Sequence, residues 1–193
     1  PTVPGFFARA VAPHRSHGLK TPWFSVFGNH DDSMSGVLPS DWAAVAKLYT
    51  SDKKFMGFKA STSNTQLRRA YTGSSRTLPQ TSSMTTRSVT PDARRAPFTP
   101  VEYMKAHLPS GGHGFTEENV ATGRGYYAFR IADGVTGIAM DSTNRAGWTE
   151  GSLGDEQFRW LQRRLEAGSS RFFDVWGAEQ KRQVDDELFV LFS

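Results

Sequence analysis

The apolar run Pro22-Trp23-Phe24-Ser25-Val26-Phe27 is closed by Gly28 and followed at once by Asn29, His30 and Asp31. No other stretch constrains the fold as much. A run of this length, bounded by proline and glycine, is too short for a buried helix and suits a buried strand. In open α/β sheets, ligands gather just beyond the carboxyl ends of strands, so these three polar side chains stand where chemistry is done. An asparagine offers a neutral oxygen, a histidine a proton or a lone pair, and an aspartate a charge that orients its neighbours. The alternative is a polar turn, with Asn29 in the left-handed region and His30 at the surface.

Helical and extended patterns alternate along the rest of the chain. Phe6 to Val11 form a short helix or an irregular lead-in, and the nearby His14 and His17 read as solvent-facing rather than as a metal pair. Ser40 caps a helix whose Trp42, Val45, Ala46 and Tyr49 share one apolar face. Thr99-Pro100-Val101-Glu102 opens a second helix, with Thr99 as cap, Pro100 at the first helical position and Glu102 completing a capping box. That helix ends by Pro109, and Gly111-Gly112-His113-Gly114 bends the chain. His107, late in the helix, suits the helix dipole, and His113 reads as a loop residue or one facing a substrate.

Tyr126 to Ile131 and Val135 to Met140 read as strands joined by a hairpin turn at Asp133-Gly134, the second ending at the polar cluster Asp141-Ser142-Thr143-Asn144. Asp141 there is either a turn or cap residue or a group lining a site. A third helix has Ser152 as its cap, Asp155 three residues on, and Phe158, Leu161 and Leu165 on its core face; Gly168 stops it. Arg171 to Trp176 follows as a strand, Gly177 to Glu187 as a charged connector, and Leu188 to Phe192 as a buried strand. The pattern predicts an α/β fold, and 193 residues with 37% hydrophobic content suit one domain.

The net charge of +4 is concentrated. Residues 60–97, rich in serine and threonine, hold six arginines (68, 69, 76, 87, 94 and 95) against Asp92 alone, a net +5, which leaves the remainder close to neutral. This segment is expected to be a long polar insertion, with a strand or hairpin at most. It is either a solvated loop or an anion-attracting surface, and charge confined to one segment does not point to nucleic acid. The chain has no cysteine, so disulfides and thiolate metal sites are excluded, and any metal must take oxygen and imidazole ligands. No apolar run is long enough to span a membrane. The chain opens on Pro1 rather than Met, so a missing N-terminus is expected, and the lack of a leader says nothing about export.

Gly28-Asn29-His30-Asp31 at the end of an apolar run resembles the Gly-Asn-His-Asp/Glu motif of calcineurin-like metallophosphoesterases. Further on, Gly137-Ile138-Ala139-Met140-Asp141-Ser142, then Gly151-Ser152-Leu153, Gln157, Trp160-Leu161 and Leu165, is similar to the branch related to class III cyclic-nucleotide phosphodiesterases. Val89 to Arg95 and Gly112 to Asn119 resemble a bacterial subgroup of the same proteins. The resemblance implies a four-layer αββα sandwich, with mixed sheets flanked by helices and a dinuclear centre of divalent ions (Mn, Fe or Zn) at one end. It implies metal-dependent hydrolysis of phosphate mono- or diesters, with a phosphate ester as the partner. Asn29 would ligate one metal, and His30 would contact the phosphoryl group and protonate the leaving oxygen. Asp31 and Asp141 would line the site. Two cations can activate water and clamp the oxygens of an in-line displacement, and a histidine of suitable pKa can act as the acid.

The family's Asp-x-His and Gly-Asp-x-x-Asp motifs do not precede this one, and its Gly-His-x-His does not follow. Gly154-Asp155 lies on the wrong side, and Gly112-His113-Gly114-Phe115 lacks the second histidine. Leu188 to Ser193 resembles the strand that leads into a metal-binding histidine, stopping one residue short of it. The expectation is therefore an internal, truncated domain over residues 1–193, inactive alone, which binds at most part of the metal centre. The competing expectation is a catalytically inactive metallophosphoesterase-like module that binds an anionic partner.

Overall fold

In the computed structural model, residues 3–31, 40–66, 83–143 and 151–193 are described. Their helices are α1 (Phe6–Ala10), α2 (Ala43–Thr50), α3 (Pro100–His107), α4 (Glu117–Thr122) and α5 (Asp155–Ala167). Their strands are β1 (Lys53–Phe58), β2 (Met84–Ser88), β3 (Tyr127–Ala132), β4 (Val135–Ala139), β5 (Arg171–Phe173), β6 (Glu179–Lys181) and β7 (Leu188–Phe192). The architecture is α/β, and among the described residues three small sheets form: β1-β2, β3-β4-β7 and β5-β6. No described helix is long and apolar enough to cross a membrane.

The central sheet grows from the Asp133-Gly134 turn, where Gly134 has a φ of 69°, a conformation that costs glycine nothing. β3 and β4 pair antiparallel with Tyr127 opposite Ala139 and Phe129 opposite Gly137. β7 then returns parallel to β4, pairing Ala139 with Phe192, after the connection through α5 that a parallel pair requires. Because the two run parallel, both present their carboxyl ends at the same edge of the sheet. β4 is the middle strand, and Ile138 and Ala139 are fully buried. On the core side, Met104, Phe115, Tyr127 and Ala139 pack together, with Val26, Tyr103, Val120 and Phe129 against them.

Helix α3 forms as its capping signals require. Thr99 accepts from the Glu102 amide, and the Glu102 carboxylate accepts from the Thr99 amide at 2.7 Å. The next helix, α4, repeats the device with Thr116 and Asn119. Gly168 ends α5, as anticipated.

Five expectations are corrected. Residues 22–27 form no regular element and join no sheet. Among the described residues their one backbone bond to another segment is Ser25 N–H to the His113 carbonyl at 2.9 Å, and tyrosine hydroxyls take carbonyls that a neighbouring strand would otherwise occupy. Ser40 does not cap α2; the helix starts at Ala43 after an extended Trp42, and Ser40 is buried. Ser152 does not cap α5, whose N-cap is Gly154. Phe158 is 57% exposed while Gln157 is 5% exposed, so the inward face of α5 begins one residue earlier than hydrophobicity suggested. Arg171 to Trp176 forms a strand only as far as Phe173, and Glu179–Lys181 pairs back onto it, so the charged connector is half of a hairpin. Asp174 accepts from the amides of Trp176 and Ala178 at its turn.

Within the polar insertion, β2 pairs not with the insertion itself but with β1, a strand outside the predicted elements. Arg68, Arg69 and Arg76 of that insertion, and Asn144 of the polar cluster, lie outside the described residues.

Candidate functional site

Residues 22–28 are positioned by side chains. The Tyr127 hydroxyl donates to the Ser25 carbonyl and lies 3.1 Å from the His113 carbonyl. The Tyr103 hydroxyl donates to the Val26 carbonyl at 3.3 Å and is hydrogen bonded to the Ser25 hydroxyl at 2.7 Å. Buried peptide groups need partners, and here phenols supply them. Phe24 stacks on Phe129 with ring centroids 3.8 Å apart, and Val26 packs on the cluster that holds Tyr127 and Ala139. Trp23 stacks on His113 at 3.5 Å, with the rings 12° apart. His107 anchors its Nδ1 on the Tyr103 carbonyl at 2.7 Å, and His113 Nε2 lies 3.1 Å from the Ser110 hydroxyl. These two histidines therefore brace the segment.

Phe27 is 2% exposed, and the chain then turns outward. Asn29–Asp31 make a single 3-10 turn, all three exposed, with Asp31 N–H donating to the Gly28 carbonyl at 3.0 Å. The Asp31 carboxylate folds back to accept from the Gly28 amide, also at 3.0 Å. Asp31 therefore closes the turn that presents Asn29 and His30. Asn29 is not left-handed, since among the described residues other than glycine only His113 has a positive φ.

Asp141 stands elsewhere, just past β4. Its Oδ1 accepts from the Thr143 amide at 3.1 Å and from the Thr143 hydroxyl, an Asx turn. Its backbone is held by the buried Gln157, whose Oε1 accepts from Asp141 N–H at 2.8 Å and whose Nε2 donates to the Asp141 carbonyl at 2.7 Å. Asp141 lines a cleft with Arg124, Tyr126, Thr143, Glu156 and Gln157, and neither Asn29 nor His30 borders it. Arg124 and Glu156 form an ion pair beside it. The structure thus unites Asn29, His30 and Asp31 in one turn and leaves Asp141 in a separate cleft.

Among the described residues no three histidine, aspartate or glutamate side chains are placed to hold a metal ion. The sequence alone does not mark the residues that hold these two places, Tyr103 and Tyr127 for the segment leading to the turn and Gln157 for the Asp141 backbone. Their only signal was a polar atom on a side chain that the local pattern assigned to a core or helical face.

Comparison with protein-family models, curated proteins and solved structures finds no match for this chain.

Proposed function

We propose that this chain supplies the Asn-His element of a metal-dependent phosphate-ester hydrolase of the calcineurin-like metallophosphoesterase type, built on an αββα sandwich. One observation supports this reading above the rest: Asn29 and His30 are exposed on a turn closed by Asp31, at the end of an apolar segment packed against the central core cluster. In the reaction, the oxygen of water bonds to phosphorus and releases a proton to solvent, the ester P–O bond breaks, and the His30 imidazolium gives its proton to the departing oxygen. A positioned acid of this kind contributes about 10²–10⁴-fold. Asn29 presents a neutral amide oxygen to one metal of the complete protein, and the other ligands come from outside the residues described here.

The test is hydrolysis of p-nitrophenyl phosphate and its bis-ester by the complete protein with Mn²⁺, alongside metal content. His30→Ala should lower kcat by about 10²-fold or more with metal retained. Asn29→Ala should lower metal content. Unchanged kcat in His30→Ala, or equal metal loss in both variants, would overturn the assignment.

A further inference from the structure

A second site lies where the end of α2 meets the β1-β2 hairpin and the turn at Ala93–Arg95. The three are tied by backbone bonds: Asp92 N–H to the Thr50 carbonyl at 3.1 Å and Val89 N–H to the Asp52 carbonyl at 2.8 Å. Arg95 also donates to the Ser51 carbonyl at 2.9 Å. Between them opens a cleft of about 590 Å³. Its apolar wall is Leu48, Tyr49, Phe55 and Val89, and its rim is Lys53, Lys54, Arg87 and Arg95. Among the described residues no carboxylate lines it, and none of the four cations is ion-paired to a described carboxylate. Asp92, close by in sequence, is instead engaged by Arg94 at 2.9 Å.

The strand register adds an independent observation. Lys54 and Arg87 are direct cross-strand partners. Like charges directly opposite destabilise a strand pair, so this placement works against the hairpin unless an anion lies between them. Arginine forks take phosphate oxygens in pairs, and lysines add point charge. The apolar wall, with the rings of Tyr49 and Phe55, suits a planar body, and the volume falls within the ~300–1,000 Å³ of small-molecule sites.

We propose that this cleft binds a small polyanion with a planar body, of the nucleoside di- or triphosphate class. The site shares no residue with the Asn29-His30 turn and does not depend on the hydrolase reading. It also gives the cation-rich insertion a role for Arg87 and Arg95 beyond solubility.

Isothermal titration calorimetry of the 193-residue chain with ATP, pyrophosphate, adenosine and a single-stranded oligonucleotide tests it. ATP should bind at least about ten-fold more tightly than adenosine or pyrophosphate, and more weakly as salt rises. Lys54→Gln/Arg87→Gln should weaken ATP at least about ten-fold without lowering the melting temperature, because it also removes the like-charge pair. Arg95→Gln is a second variant, should the double variant fold poorly, and Lys105→Gln, outside the cleft, should bind as the wild type does. ATP affinity unchanged in the double variant and in Arg95→Gln would overturn the proposal. So would equal affinity for adenosine, or oligonucleotide binding that ATP does not compete.

Discussion

The phenol of Tyr127, on β3, donates to the carbonyl of Ser25, on the segment that leads to Asn29 and His30. The two residues are far apart in sequence, and this bond does what a sheet ladder would do for a true strand. The orientation of the exposed turn therefore depends on an aromatic side chain of the central sheet.

Tyr127→Phe should lower stability by about 1–2 kcal/mol, since it strands the Ser25 carbonyl without its donor. The Ser25 amide should also exchange faster. Burial pushes the Tyr127 phenol up to about 12, only partly opposed by its bond to Ser25. An unfolded tyrosine titrates near 10, so between about pH 10 and 12 the folded chain keeps a proton that the unfolded chain has lost. This stability is fully present below about pH 10 and is lost as pH rises through the folded value. The fall in melting temperature from about pH 9 to about pH 11 should be larger for wild type than for Tyr127→Phe. Equal falls would sink the assignment.

Two glycines in one loop should respond differently to alanine. Gly114 has a φ of 101°, and an added Cβ would lie 2.0 Å from the Tyr127 ring. Gly111 has a φ of 105° with nothing within 4 Å of such a Cβ. Gly111→Ala should cost about 1 kcal/mol of backbone strain, whereas Gly114→Ala adds the clash and should cost about 2–4 kcal/mol. Urea unfolding of the pair decides the matter, and equal midpoints would show that the ring does not rest on Gly114.

Gln157→Leu should cost about 2–3 kcal/mol, because it keeps the volume but removes both partners of the Asp141 backbone. Hydrogen exchange at the Asp141 amide is the specific readout. Protection that survives the substitution would mean that Gln157 does not hold that peptide.

The signals legible in the sequence were those closed within a few residues. Thr99 and Glu102 make their capping box wherever the chain goes, and Asp133-Gly134 turns because Gly134 tolerates a positive φ. The Thr116–Asn119 box is equally local. The reading failed where a partner was distant. Phe24, Val26 and Phe27 announce burial, but hydrophobicity does not say whether a strand or a pair of tyrosines will receive their backbone. Gln157 against Phe158 is the same failure, since a distant peptide at Asp141 drew the polar residue inward.

By itself, then, the sequence determined an α/β chain, the helix starts at Thr99 and stops at Gly168, the central hairpin, and the consecutive placing of Asn29, His30 and Asp31. Tertiary structure alone decided that Asp31 closes the turn on the Gly28 amide, that Asp141 lies in another cleft, and that Lys54 meets Arg87 across a strand pair. Caps and turns are settled by dihedral preferences and neighbours within one turn of chain. The choice among distant partners depends on which buried peptides and charges remain to be satisfied after the chain has packed.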